Sequence, residues 1–134
     1  MYDETADSYA AMMDVEIVQP QYFRALSRLK EGIAGIAGAV VDTSCGPGHM
    51  LSMYRERLDQ ARKLVGIDLS PEMIKLSRSR LGPEAELVAG DMRNLDFLPD
   101  ASMAGIISFF ALHHLDLDGV RTALGEWARI LKPG

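Results

Sequence analysis

Residues 40–48 read Val40-Val41-Asp42-Thr43-Ser44-Cys45-Gly46-Pro47-Gly48. With Ala39, the two valines make a short apolar run bounded by Gly38 and Asp42. That is the pattern of a strand buried in a parallel sheet. A turn containing two glycines follows, and then Met50, Leu51, Tyr54 and Leu58 fall on one helix face. A strand, a glycine turn and a helix in that order are the opening unit of an α/β sheet.

The rest of the chain repeats the alternation. Towards the N-terminus, residues 2 to about 31 read as helical, with Pro20 suited to a first helical position and Tyr22, Leu26 and Leu29 at helical spacing. Gly32, Gly35 and Gly38 mark the exit from that segment. Towards the C-terminus, Lys63 to Ile67 reads as a second strand. Ser70 then caps a helix with Pro71 at its first position and Glu72 in its first turn, and that helix stops at Gly82-Pro83. Glu86 to Ala89 reads as a third strand and Gly105 to Phe110 as a fourth. Asp118 is expected to cap a last helix whose Val120, Leu124, Trp127 and Leu131 face the core. Alternating strands and helices predict a doubly wound, mainly parallel sheet with right-handed crossovers. Residues 1–37 form a helical cap segment in this reading and residues 38–134 the core.

Composition narrows the function. The 134 residues suffice for one domain; 48% are apolar and 25% charged, as in ordinary soluble proteins. The net charge is −5 and there is no basic run, which argues against a surface that tracks nucleic-acid phosphates. No stretch approaches the ~20 apolar residues that span a bilayer. The one cysteine, Cys45, precludes an internal disulfide. A cytoplasmic location is the expectation.

Parallel sheets bind ligands at the carboxyl ends of their strands, where the strand order reverses. The informative residues fall there. Gly46 and Gly48 lack the Cβ atoms that would keep a ligand from the backbone. Asp68 ends strand two, where a carboxylate can accept from both hydroxyls of a ribose; alternatively it supports the helix that Ser70 caps. Asp91 follows strand three, where it can accept from an adenine amino group beside the Met92 backbone, or simply start a loop. One nucleoside-like ligand would touch all three acids, Asp42, Asp68 and Asp91.

Five segments then carry a resemblance. They are residues 40–48, Val65-Gly66-Ile67-Asp68-Leu69-Ser70-Pro71-Glu72-Met73, Gly90-Asp91-Met92, Ala111-Leu112-His113-His114-Leu115 and Leu131-Lys132-Pro133-Gly134. In order and spacing, from about residue 38 onward, the chain resembles the Rossmann-like S-adenosylmethionine-dependent methyltransferases of small-molecule type. The resemblance implies that the glycine turn receives the methionine part of the cofactor, Asp68 the ribose and Asp91-Met92 the adenine. The implied cofactor-binding set is Asp42, Ser44, Cys45, Gly46, Gly48, Asp68, Leu69, Asp91 and Met92, with no metal. The chain departs from the family in three ways. Ser44 stands where glycine is usual, which predicts a wider or strained turn. Ala104 replaces an acid before strand four. The last three of the usual seven strands are not in the sequence, so strand four should be an edge open to pairing with a second copy.

Rival readings are a dinucleotide enzyme, an aminopropyltransferase and a non-catalytic binding module. Leu51 occupies the place of the third glycine of the dinucleotide fingerprint, and Asp42 would repel a pyrophosphate. For transfer to a small-molecule acceptor, His113, His114 and Tyr9 are the candidate catalytic residues, each with a bland alternative: loop hydrogen bonding for the histidines and a wet hydroxyl for the tyrosine. Met12, Met13, Phe109 and Phe110 are candidates for an apolar pocket wall or for core. Cys45 is expected to pack rather than to attack.

Overall fold

The computed structural model describes residues 2–109 and 115–133, with the side chains of residues 2–5 left out. Its elements are α1 (Tyr2–Glu16), α2 (Pro20–Gly32), β1 (Ala39–Asp42), α3 (His49–Arg57), β2 (Leu64–Asp68), α4 (Pro71–Leu81), β3 (Glu86–Ala89), β4 (Met103–Ile107) and α5 (Leu117–Ile130). The strands form one parallel sheet in the order β3-β2-β1-β4. The chain runs outward from β1 to β3 and then returns to the other side of β1. The strand order therefore reverses between β1 and β4, the position at which such sheets bind ligands.

Successive side chains of a strand point to opposite sides, and β1, β2 and β4 are buried on both, whereas the edge strand β3 is partly exposed. Val40 and Leu64 pack on one side with Leu26, Leu51, Tyr54 and Leu81. Val41, Val65 and Ile67 pack on the other with Leu95, Leu98 and Ile130. The first side is closed by α2, α3 and α4. The second is closed by α5 and the connection between β3 and β4. Arg129 of α5 fastens that connection by donating to the carbonyls of Leu98 (2.8 Å) and Leu95 (2.7 Å).

Several boundaries differ from the sequence reading, each for a local reason. The N-terminal helical segment is two helices. Gln19 precedes Pro20, whose ring excludes the helical backbone from the residue before it, and Gln19 is extended (φ −63°, ψ 133°). The second strand runs one residue further, because Asp68 pairs with Ala89. The fourth begins at Met103 and ends at Ile107, the last residue facing β1; Phe110 lies outside the described residues. Asp116, not Asp118, caps α5: its Oδ1 accepts from the Gly119 N–H at 2.7 Å, and Asp118 sits in the first turn. The face of α5 shifts too. Gly119, Ala123 and Ile130 are buried and Trp127 is half-buried, while Leu124 is 47% exposed. The small residues let α5 lie close to the sheet.

Candidate functional site

The turn after β1 is fastened to both neighbouring strands. The Thr43 N–H donates to the Ile107 carbonyl of β4 (3.1 Å) and the Cys45 N–H to the Ile67 carbonyl of β2 (2.8 Å). Gly46 (φ +53°) and Gly48 (φ +95°) adopt the left-handed backbone that lets the chain reverse into α3. A Cβ on Gly48 would lie 3.2 Å from Ser77 Oγ, so α3 and α4 could not pack as closely with a larger residue there. Ser77 is itself buried and donates to the Gly46 carbonyl at 2.5 Å. Of the two expectations for Ser44, a wider or a strained turn, strain is absent. Among the described residues the only non-glycine with positive φ is Ala101. Ser44 instead donates its N–H to Asp42 Oδ1 at 3.1 Å.

Asp42 is 2% exposed and, among the described residues, has no cation against it. Burial, with a smaller contribution from the nearby Asp68 carboxylate, pushes its carboxyl up to about 7, and the Ser44 N–H opposes the shift. Among the described residues, three hydroxyls at the carboxyl ends of β1 and β4 are buried without a partner: Thr43 Oγ1, Ser44 Oγ and Ser108 Oγ. Unmet buried hydroxyls are costly, and a switch-point site is where a ligand would meet them.

Asp68 braces the turn from β2. Its Oδ2 accepts from the Gly46 N–H and its Oδ1 from the Ser70 N–H, both at 2.9 Å. Ser70 caps α4 by accepting from the Met73 N–H at 3.1 Å. Asp68 thus supports the helix start, as its bland alternative had it, and also fixes the glycine turn. Asp91 differs. It is held by Arg93, with contacts of 3.0 Å from Nε to each oxygen and 2.5 Å from Nη2 to Oδ2. Those bonds keep its carboxyl below the usual range.

A pocket at this end is lined by Tyr9, Met13, Asp42, Ser44, Cys45, Pro47, His49, Met50 and Phe109. It brings together Asp42, Ser44 and Cys45 of the expected set, with Tyr9 above them. Gly46 lies under Tyr9: a Cβ there would be 3.4 Å from the ring. Gly46, Gly48, Asp68, Leu69 (69% exposed), Asp91 and Met92 of that set do not line this pocket. Met13 and Phe109 form part of its wall, whereas Met12 is 54% exposed. His113 and His114 lie outside the described residues. Burial raises the Cys45 thiol well above its ordinary value, and the sulfur lies 3.6 Å from Ser77 Oγ, so it is packed and not nucleophilic. Burial, then Asp68 and Asp42, raise the Tyr9 hydroxyl. Sequence reasoning missed His49. Its ring is buried and hydrogen-bonded to Asp14 of α1, a pairing across 35 positions that no local pattern announces.

A family model for the methyltransferase domain matches residues 40–134. The chain belongs to this family, of the class I, S-adenosylmethionine-dependent type. It is 29% identical over 138 residues to an uncharacterized methyltransferase of Geobacillus sp. (strain WCH70), covering 100% of this chain and 62% of the relative. The chain thus spans about three-fifths of the length of such relatives. It is similar in fold to a solved amino pentose methyltransferase from Micromonospora echinaspora with S-adenosylmethionine bound. That match has a TM-score of 0.70 and 27% identity, over 86% of this methyltransferase chain and 47% of the other. A second solved relative is the 1,6-didemethyltoxoflavin-N1-methyltransferase of Burkholderia thailandensis with S-adenosylhomocysteine. Its TM-score is 0.67 at 25% identity, over 98% of this chain and 56% of that one. Among the described residues, no helix is long and apolar enough to cross a membrane.

Proposed function

We propose that the protein binds S-adenosylmethionine at the Gly46–Gly48 turn and transfers its methyl group to a small-molecule acceptor. The observation that carries this reading is the buried Asp42 carboxyl beside the unpartnered Ser44 hydroxyl on the pocket wall. A carboxyl in that setting suits a ligand bearing an ammonium group and disfavours a pyrophosphate. The glycine turn leaves room for close approach, and Asp68 keeps carboxylate lone pairs beyond its two backbone bonds for a ribose hydroxyl. The two solved relatives act on small molecules by their descriptions, which supports the acceptor class.

When bound, the cofactor supplies an electrophilic methyl group. The chain's own residues bind and orient. Asp42 and Ser44 take the amino-acid end, Gly46 admits it, Gly48 lets α3 pack on α4 beneath it, Asp68 takes the ribose, and Tyr9 and Phe109 exclude water from the pocket. Tyr9 keeps its proton at neutral pH and so acts as a donor or a cover. Leu69, Asp91 and Met92 are assigned to the adenine side.

Calorimetry with S-adenosylhomocysteine tests the assignment. Asp68→Ala should weaken binding roughly ten- to a hundredfold, the loss of a charge-assisted hydrogen bond. Unchanged affinity in a folded variant contradicts the ribose role. Among the described residues the β4 edge is bridged only at Met103, by Leu131, and the remainder of that edge supports self-association as a further proposal. Sedimentation should then show a dimer forming as concentration rises, and a monomer throughout would overturn it.

A further inference from the structure

The N-terminal helix reaches α3 and α4 through a small polar cluster. Asp14 Oδ1 of α1 lies 2.7 Å from His49 Nε2 of α3 and 3.3 Å from Arg80 Nη2 of α4. The aspartate side chain is 61% exposed, whereas that of His49 is 4% exposed. Burial disfavours the imidazolium and holds His49 below its ordinary value, and the hydrogen bond from His49 holds Asp14 low as well. A neutral ring therefore donates from Nε2 to a carboxylate. Its Nδ1 is left as an acceptor, buried and without a hydrogen-bond partner. A buried ring with an unmet nitrogen is a poor way to gain stability; an apolar side chain would pack there without that cost.

α1 is also held at its end by Tyr22 of α2, whose hydroxyl donates to Glu16 Oε1 at 2.6 Å, and by Met13 and Tyr9 in the core. Ala6 and Met13 are its buried residues among those described, while Met12 and Val15 face outward. Five residues before Asp14, Tyr9 stands over Gly46. Tyr9, Met13 and His49 border the same pocket, whose volume of about 20 Å³ is close to that of a single water site. A ligand seated on the turn therefore meets the Tyr9 ring, whose position follows that of α1.

We propose that Asp14, His49 and Arg80 form a clasp that positions α1, and so sets how tightly Tyr9 closes over a ligand on the glycine turn. The inference rests on the ligand site proposed above. Asp14 is a positioning residue: it acts through Tyr9 and does not touch the ligand.

The test is the dissociation rate of S-adenosylhomocysteine from the wild type, Asp14→Ala, Tyr9→Ala and the double variant, with amide hydrogen exchange on each protein. Alanine is the better helix former, so lost helicity cannot explain a looser α1. Asp14→Ala should release the ligand roughly two- to fivefold faster, the scale of an exposed ion pair. It should speed exchange in α1 and leave α4 unchanged. In the Tyr9→Ala background it should have no further effect on release, because the two residues act as one unit. His49→Phe, which keeps the burial and removes the donor, should behave like Asp14→Ala, and Asp14→Glu should restore part of the loss. Unchanged release in Asp14→Ala, or the same factor with and without Tyr9, overturns the clasp. If the wild type binds no S-adenosylhomocysteine, the functional reading fails, and the clasp stands or falls on exchange in α1.

Discussion

The turn after β1 and the connection after β3 each begin with an aspartate at the carboxyl end of a strand, and the two carboxyls have opposite surroundings. Asp42 is enclosed, accepts one backbone N–H and is pushed up to about 7. Asp91 is gripped by the Arg93 guanidinium and held low. A carboxyl that already has its cation is settled as it stands. One buried without a cation is destabilising until something positive arrives. The difference supports the proposal that the β1 turn is the part of the sheet end that takes a ligand.

Asp42→Asn should give the largest effect. The substitution keeps an acceptor for the Ser44 N–H and removes the charge that an ammonium would meet. Affinity for S-adenosylhomocysteine should fall roughly ten- to a hundredfold, measured by calorimetry at pH 8. The same variant changes the pH dependence of stability. An unfolded aspartate titrates near 4, and folding raises Asp42 to about 7, so folding favours its proton. The stability this gives is whole below about pH 4 and is lost as pH rises towards 7. Thermal melts of Asp42→Asn should lack that decline, leaving the variant more stable than the wild type at pH 8. A decline of equal size in both proteins would mean that Asp42 is not the group responsible.

The Asp91 region should respond less. Asp91→Ala should cost S-adenosylhomocysteine less than tenfold in affinity, because the carboxyl is already committed to Arg93. Arg93→Ala frees that carboxyl and should hold or improve the affinity. A loss at Asp91 as large as that at Asp42 would break the comparison between the two loops.

Smallest is the effect on helix α4. Ser70→Ala removes the acceptor of the Met73 N–H and should lower stability by about 1 kcal/mol, read by urea denaturation. A change in the same direction but beyond about 2 kcal/mol would mean that Ser70 also holds Asp68 in place.

What the sequence revealed follows from how local each signal is. Ala39-Val40-Val41 announced a buried strand because β-branched residues between Gly38 and Asp42 have few other uses. Ser70-Pro71 announced a helix start for equally local reasons, and the structure agrees. Asp116 and Asp118 are both eligible caps two positions apart, and only the backbone geometry chooses between them. The inner face of α5 was missed because Gly119 and Ala123 are small. They reach the sheet by letting the helix approach, which hydrophobicity does not register. His49 was illegible for a deeper reason. Its partner Asp14 lies on another helix, and their meeting depends on the course of α1 across the glycine turn.

The central claim is that the β1 turn holds an ammonium-bearing nucleoside and not a dinucleotide. Parallel titrations with S-adenosylhomocysteine and NAD, on the wild type and on Asp42→Asn, test it most directly. The account predicts that S-adenosylhomocysteine binds the wild type more tightly than NAD does, and that Asp42→Asn narrows the gap by weakening S-adenosylhomocysteine alone. Tighter binding of NAD to the wild type, or a preference for S-adenosylhomocysteine that survives Asp42→Asn undiminished, would contradict it.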